Sequence, residues 1–173
     1  MPTTYKLISK VTVSSATSSI TFSSIPSTYT DLLVKVSPRF SSASANKTLV
    51  MRFNSDASTS NYKNKRLQSY GTGVSSSVEE GYNGGYISEV NAGSNTANTF
   101  SNVEIYIPNY AGSNNKFFSV DSAMENNATT AYAQLLINLW SNTAAITSIT
   151  LVEQSSDNFV QYSTARLYGI KNS

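Results

Sequence analysis

The chain lacks cysteine and histidine entirely, and it carries little charge. These absences remove the side chains used most often for acid–base chemistry near neutral pH, for zinc or copper ligation and for thiol chemistry. Charged residues make up 13% of the sequence, against about 25% in typical proteins. The one local basic cluster, Lys63, Lys65 and Arg66, is typical of a solvated strand edge. We therefore expect no enzyme activity, no cofactor and no nucleic-acid partner.

Long apolar segments are also missing. No apolar run approaches the roughly 20 residues that span a bilayer, and the N-terminus lacks the basic-then-apolar pattern of a signal peptide. We expect a soluble protein made without Sec-type export, with no membrane insertion. Its 173 residues match a single domain, residues 1–173, large enough to bury a core without disulfides or metal.

What the chain has in abundance is Ser, Thr and Asn, with 31, 18 and 18 residues respectively. Short apolar runs recur between these polar stretches along the whole length. Low charge combined with such a composition is typical of long-lived extracellular and virion β-proteins. The composition therefore favours a protein that holds a shape or presents a surface.

The apolar runs have a period of two, which predicts β-strands with one face inward. Clusters of Gly, Asn, Asp and Ser separate the runs and predict turns. Ten or eleven strands are expected, around residues 5–13, 20–22, 32–36, 48–53, 66–70, 86–90, 103–107, 118–121, 131–140, 146–152 and 159–170. The segment 131–140 fits either a helix or a strand, and its alternating Leu135, Ile137 and Leu139 favour a strand. Gly71–Gly85 is expected to be a long mobile loop.

This spacing predicts an all-β fold, an antiparallel β-sandwich that is jelly-roll-like with about ten strands. An α/β fold would need helices of 10 to 15 residues between strands, and none is evident.

Candidate chemistry in the sequence is sparse. Paired carboxylates could hydrolyse glycosides, but nothing in the sequence brings two of the ten acidic residues together; Glu104 and Asp121 occupy outward strand positions, and Glu79 lies in the long loop. The oxygens of residues 54–61 could hold calcium, although an Asx-rich turn is the ordinary interpretation. Asn46 and Asn127 begin glycosylation sequons, which chance explains in so Asn-rich a chain.

Aromatic side chains are a stronger signal. The chain has 11 Tyr, seven Phe and one Trp, and carbohydrate recognition uses aromatic platforms. Five tyrosines near predicted loops are candidates for contact with a glycan or a protein partner: Tyr62, Tyr70, Tyr82, Tyr86 and Tyr110. The alternative is that they are half-buried strand residues, as most tyrosines of sandwiches are. Trp140 is expected in the core or at an interface.

Several segments in order along nearly the whole chain resemble small virion structural proteins of tailed bacteriophages, especially phages of marine cyanobacteria. The segments are Ser19–Ser37, Arg52–Asp56, Asn102–Tyr110, Glu125–Ala133, Leu139–Val152 and Asn158–Ile170, and the closing Leu-Tyr-Gly-Ile is the most specific. The resemblance implies a jelly-roll-like fold and a role as a capsid decoration protein, knob, fibre or tail adhesin. It implies no catalytic residue.

The expected function is therefore that of an accessory capsid decoration or knob protein on the surface of a phage particle. It would be a homo-oligomer that binds capsid or tail proteins, assembled in the host cytoplasm and exposed on the virion. The alternative is a tail-fibre module that recognises a cell-surface glycan through the tyrosine-bearing loops. An enzyme that degrades host polysaccharide is a third, disfavoured class.

Overall fold

The alternating pattern of the sequence corresponds to twelve antiparallel strands in a computed structural model that describes residues 4–125, 127 and 131–171. The strands are β1 (Tyr5–Thr12), β2 (Ser19–Phe22), β3 (Asp31–Ser37), β4 (Asn46–Phe53), β5 (Tyr62–Tyr70), β6 (Gly73–Ser77), β7 (Gly85–Asn91), β8 (Asn102–Ile107), β9 (Lys116–Glu125), β10 (Ala131–Trp140), β11 (Ile149–Glu153) and β12 (Thr164–Ile170). No helix in these residues is long and apolar enough to cross a bilayer.

The strands form two sheets that pack face to face. The larger sheet has the order β1-β12-β3-β8-β9-β10-β5-β6, and the smaller has the order β2-β11-β4-β7. Every pairing is antiparallel. The fold is thus the expected all-β, jelly-roll-like sandwich, with twelve strands in place of about ten.

The core lies between the sheets and is filled by the inward half of each alternating strand. Along β9, every second residue is buried, so Phe118 and Val120 point inward while Phe117 and Ser119 point outward. Phe118 packs edge-on against Phe53 of the smaller sheet, with ring centroids 5.1 Å apart. Trp140 is 1% exposed and lies 5.3 Å from the same Phe53 ring, which confirms it as a core residue.

The ambiguous segment 131–140 is the strand β10, as favoured. It pairs along its full length with β9 on one side and from Tyr132 onward with β5 on the other. A strand at this place buries Leu136 and Trp140 on its inner face while Leu135 and Ile137 remain on its outer face. As a strand, β10 pairs with the facing edges of both β9 and β5; a helix here would satisfy its own backbone but leave those two edges unpaired.

Several strand boundaries differ by a few residues from the sequence-based expectation, and two differences are larger. Gly71–Gly85 is not one long loop, because it contains β6, which pairs with β5 after a two-residue turn. The serines of β6 hide the apolar alternation on which the strand prediction relied. The expected strand at 159–170 begins only at Thr164, because Phe159 is buried as an isolated bridge with Thr17 and Phe40.

Candidate functional site on the outer face of the larger sheet

The outer face of the larger sheet exposes large apolar side chains. Five of them lie on the adjacent strands β5, β10, β9 and β8, and we call them the outer band: Leu67 (49% exposed), Leu135 (54%), Ile137 (62%), Phe117 (55%) and Tyr106 (38%). Sheet faces that meet water are ordinarily polar, and contiguous exposed apolar patches mark interaction sites. The outer band is therefore the first candidate for a functional surface.

Strand register explains why these residues meet. Leu67 lies directly opposite Leu135, and Ile137 lies opposite Ser119, which in turn lies opposite Tyr106. Side chains opposite one another across antiparallel strands have Cβ atoms about 4.5–5.5 Å apart, so they form one continuous surface. The larger sheet thus gathers residues from distant parts of the chain into one patch.

A cleft of about 670 Å³ lies over this patch. Its floor includes Leu67, Leu135 and Ile137, and its rim at one side comes from Ser76 and Val78 beside the edge strand. Charged side chains also border it: Lys65, Glu104 and Asp121. An apolar floor with a sparse charged rim fits a protein surface or a mixed polar and apolar ligand better than a highly charged one.

The two carboxylates at the cleft come from neighbouring strands. Glu104 lies directly opposite Asp121, and both point outward as predicted. On its other side Glu104 accepts a hydrogen bond from the Lys35 ammonium at 2.8 Å, and this contact raises the pKa of Lys35. Half-exposed ion pairs of this kind contribute little stability. The carboxylates of Glu104 and Asp121 therefore remain available to solvent and to a partner protein.

Tyr106 at the end of the outer band is held by a carboxylate. Its hydroxyl donates a hydrogen bond to Asp31 Oδ2 at 2.6 Å, while Asp31 Oδ1 accepts one from the backbone N–H of Asn109 at 2.9 Å. The bond to Asp31, together with partial burial, raises the pKa of Tyr106 to about 12. The ring therefore stays neutral and fixed in orientation at the band's edge.

Three of the five predicted contact tyrosines are core residues. Tyr62, Tyr86 and Tyr110 are 5%, 0% and 0% exposed, so in this structure their rings cannot reach a glycan or a partner. Each hydroxyl has partners inside the protein: that of Tyr62 accepts from the Phe53 N–H at 3.0 Å, and that of Tyr110 donates to the Pro26 carbonyl. Proximity to a loop in the sequence was a poor guide to exposure, because strand ends can turn tyrosines inward.

The other two predicted tyrosines differ from each other. Tyr82 is half-buried against the Tyr86 ring, with centroids 5.1 Å apart, and its burial and the nearby Glu79 raise its pKa to about 12. Tyr70 is 48% exposed and stacks on Tyr132, with centroids 4.3 Å apart. Tyr70 is thus the most exposed of the five predicted tyrosines, and its stacked neighbour Tyr132 was not among them.

A second cluster lies between the sheets, where β5, β7 and β10 approach each other. We call Arg66, Glu79, Tyr86, Glu89 and Gln134 the polar network. Arg66 donates to the Tyr86 hydroxyl at 2.8 Å and forms an ion pair with Glu79 at 2.8 Å. The same hydroxyl lies 3.2 Å from Gln134 Oε1 and 3.4 Å from Glu89 Oε1, and burial raises the pKa of Tyr86.

This network joins two acidic residues that no sequence spacing connects. Glu89 also accepts from Asn46 Nδ2 at 2.7 Å and from Thr48 Oγ1 at 3.0 Å, and the backbone carbonyl of Glu79 accepts from Asn64 Nδ2 at 2.7 Å. Since protein donors occupy these oxygens, the geometry describes a structural network that ties the end of β6 to β5 and β7. Such networks make a unique arrangement of strands more stable than its alternatives.

The loop considered for calcium uses its oxygens within the protein. The Asp56 carboxylate accepts hydrogen bonds from Trp140 Nε1 at 2.8 Å, Asn61 Nδ2 at 2.8 Å and the Ser58 N–H at 2.9 Å. Desolvation of Asp56 opposes ionisation, but these bonds outweigh it and lower the pKa of its carboxyl. The oxygen of Asn54 accepts from the Thr147 N–H at 2.8 Å. The Asx-turn interpretation accounts for these contacts.

Both glycosylation sequons were attributed to chance. Asn46 begins β4, where its side chain donates to Glu89. The second sequon, which begins at Asn127, extends outside the described residues.

Comparison with known proteins adds little. No protein-family model and no curated protein matches the chain. Among solved structures, the crystal structure of the galectin LEC-6 from Caenorhabditis elegans is similar, with 12% sequence identity and a TM-score of 0.38. The match covers 91% of this chain and 94% of the galectin.

Proposed function

We propose that this chain is a structural protein of a tailed-bacteriophage virion, an accessory decoration or knob protein that attaches to the capsid exterior through the outer band. The observation that carries the proposal is the apolar patch of Leu67, Leu135, Ile137 and Phe117 on a sheet face otherwise open to water. The sequence resemblance to small phage virion proteins supports a virion role, and capsid decoration is one of the roles that it implies.

The size of the patch indicates how it would work. Burying the exposed half of each of these four side chains contributes roughly 1 kcal/mol apiece, from about 1.5–3 kcal/mol for a whole side chain. Association of two proteins costs about 4–15 kcal/mol in lost freedom. One copy therefore binds weakly through the band alone, and attachment gains strength from further contacts or from several linked copies on a repeating shell.

Charged residues around the outer band determine the orientation in which a partner binds more than the affinity with which it binds. Lys65, Glu104 and Asp121 border the apolar floor, so a partner must present complementary charges at matching places. The Lys35 and Glu104 pair next to the cleft can exchange partners at low cost, since both side chains are about half exposed.

Co-sedimentation with capsids tests the proposal. Empty capsids that lack this chain are mixed with the wild-type protein or with Ile137→Glu, which places a charge in the middle of the band without entering the core. Wild type is expected to pellet with capsids, and the variant to lose most of that binding. Tyr162→Asn is the matched control, because Tyr162 is also exposed (66%) but lies in a loop with a φ of 73° that asparagine tolerates.

Two results would contradict the proposal. Wild-type protein that never pellets with capsids would remove the role itself. Equal binding by Ile137→Glu and wild type, with both folded by circular dichroism, would remove the outer band as the attachment surface.

The alternative is a receptor-binding module that recognises a glycan, and one observation favours it. The exposed Tyr70 stacks on the half-buried Tyr132 beside a cleft of about 380 Å³ that Tyr132 helps to line. Aromatic faces of this kind suit the apolar faces of sugar rings. Binding on a glycan array that disappears in Tyr70→Ala but persists in Tyr162→Ala would support this function over capsid attachment.

A further inference from the structure

The edge strand β6 is open along one side. The larger sheet ends at β1 and β6, and the smaller ends at β2 and β7. Unpaired edges are ordinarily protected by lysine, proline, bulges or very short strands. β1 has Lys6, Lys10 and a bulge between Leu7 and Ser9, β2 has only four residues, and β7 is largely buried.

β6 has five residues, one more than β2, and it has no lysine, no proline and no bulge. Its sequence, Gly73–Ser77, contains neither charge nor proline, and its first four residues are exposed. Val74 is 72% exposed, the highest value among the large apolar side chains of the described residues. Val78, the residue that follows the strand, is 46% exposed. An uncharged edge with two exposed valines is a template for strand addition.

The geometry of the β5–β6 hairpin determines which backbone N–H and C=O groups of β6 are free to pair with another strand. β5 and β6 are joined by Gly71 and Thr72, and the positive φ of Gly71 (57°) fits a II′-type two-residue turn. In such a hairpin the pair next to the turn exchanges hydrogen bonds, and bonded pairs then alternate along the strands. The N–H and C=O of Gly73, Ser75 and Ser77 therefore face β5, while those of Val74 and Ser76 face outward.

Side chains on β6 follow the same alternation. Ser76 lies opposite Leu67 of the outer band, and Val74 lies opposite Ser69. Val74, Ser76 and Val78 thus point to the outer face, where Ser76 and Val78 border the cleft. The two exposed valines flank Ser76 at equal distances along the strand, one two residues before it and one two residues after it.

We propose that a second copy of this chain pairs antiparallel with β6, in a register centred on Ser76. A two-fold axis then places Val74 opposite Val78 of the second copy, and Val78 opposite its Val74. The outward N–H and C=O of Val74 and Ser76 find matching groups on the identical strand, as an isologous interface requires. The result is one continuous sheet of sixteen strands, made from two eight-stranded sheets.

The identity of the partner follows from this symmetry. A register centred on Ser75 would place Val74 opposite a serine, which leaves both valines without an apolar neighbour. The register centred on Ser76 pairs all four valines. In it Ser76 exchanges backbone hydrogen bonds with Ser76 of the second copy, and Val74 exchanges them with Val78, the residue after β6. Because the axis is perpendicular to the sheet, the outer bands of the two copies also lie on the same face, side by side.

The interface is small. Pairing of five residues buries much less than the roughly 1,200 Å² of a stable specific complex, so we expect a reversible dimer with Kd in the micromolar range or weaker. Sedimentation velocity from about 5 to about 500 µM covers this range. Wild-type protein is expected to shift from monomer to dimer as its concentration rises.

Complementary charged substitutions at Val74 and Val78 test the register of the proposed dimer. Val74→Lys and Val78→Glu are each expected to weaken the dimer at least tenfold, because each places a charge opposite a valine. An equimolar mixture of the two variants is expected to restore dimer, since one lysine then faces one glutamate. Leu7→Lys is the matched control: Leu7 is 49% exposed on the opposite edge strand and its substitution is expected to leave dimerisation unchanged.

Each result of these experiments either supports or overturns the proposed dimer. A wild type that remains monomeric at all concentrations overturns the proposal. So does a dimer that Val74→Lys leaves intact, or a pair of monomeric variants that fails to recombine. Ser76→Pro adds a check that needs no charge, because it removes one outward N–H and leaves the bonds to β5 in place. The inference does not rest on the proposed function, since capsid binding and dimerisation are measured separately.

Discussion

Replacing Arg39 by methionine tests whether one buried arginine anchors a loop. Arg39 lies between β3 and β4 and is 7% exposed. Its guanidinium donates to the backbone carbonyls of Thr96 (2.9 Å), Thr99 (3.0 Å) and Asn95 (2.9 Å), all in the connection between β7 and β8. Burial lowers the pKa of the Arg39 guanidinium below its ordinary value. An arginine side chain nevertheless stays charged at neutral pH.

The expected loss follows from opposing contributions. Hydrogen bonds to a charged donor contribute about 1.5–3 kcal/mol each, so three give roughly 4–9 kcal/mol. Desolvation of the guanidinium costs several kcal/mol of this. Methionine keeps the apolar stem and leaves the three carbonyls without their donor, so we expect Arg39→Met to lower the free energy of unfolding by about 3 kcal/mol. For a chain of this length that corresponds to a fall in Tm of about 6–12 °C.

Thermal unfolding followed by circular dichroism measures the effect, and hydrogen exchange locates it. Amides of residues 93–99 are expected to exchange faster in the variant, even under conditions where the sheets stay protected. Arg52→Met is the matched control, because Arg52 donates a single bond, from Nε to the Asn83 carbonyl at 2.7 Å, and its loss is expected to cost about 1 kcal/mol. Equal Tm values for the two variants, or unchanged exchange at residues 93–99, would refute the reasoning.

Two further predictions concern the core and the pH dependence of stability. Gly169→Ala is expected to lower the free energy of unfolding, measured in urea, by about 3 kcal/mol, because the new Cβ would overlap the ring of Tyr29. In a Tyr29→Ala background the same change should lower it much less. Equal losses in the two backgrounds would contradict the contact. Asp56→Asn should remove a pH-dependent contribution: the lowered pKa of Asp56 stabilises the fold above the unfolded value of about 3.9, and this stability is lost as pH falls through the folded pKa. The difference between wild type and Asp56→Asn in urea unfolding should therefore shrink from pH 7 to pH 3, and a constant difference would contradict it.

The sheet architecture was predictable wherever burial imposed alternation. The middle of β9 shows why: burial favours apolar side chains at inward positions and leaves outward positions free to be polar, so Phe118 and Val120 alternate with Ser119 and Asp121 in the sequence itself. The inward Lys116 and Ser122 are polar exceptions. β6 was missed for the opposite reason. It is an exposed edge strand held by its hairpin with β5, so no core selects apolar residues at alternate positions.

The candidate site was much less predictable. Outward Leu135 and Ile137 were visible as one row of β10, but nothing local distinguishes an outer row from a core row. The tyrosine prediction was wrong for Tyr62, Tyr86 and Tyr110, because a tyrosine ring serves equally well at a surface or in a core with its hydroxyl paired. The signal that could have found the outer band is that β10 carries large apolar residues on both faces, Leu135 and Ile137 outside and Leu136 and Trp140 inside, although the inner face also includes the buried Gln134 and Asn138.

The sequence by itself determined the class of this protein: period-two runs separated by turn residues indicate many short strands, and no helices of 10 to 15 residues alternate with them, which favours an antiparallel sandwich. It also determined which residues of most strands point the same way, because alternation is a property of the local backbone. Only the tertiary structure decided which strands are neighbours, since pairing depends on contacts between segments far apart in the chain. That pairing places Leu67 beside Leu135, links Glu79 to Glu89 through Arg66 and Tyr86, and leaves β6 at an open edge.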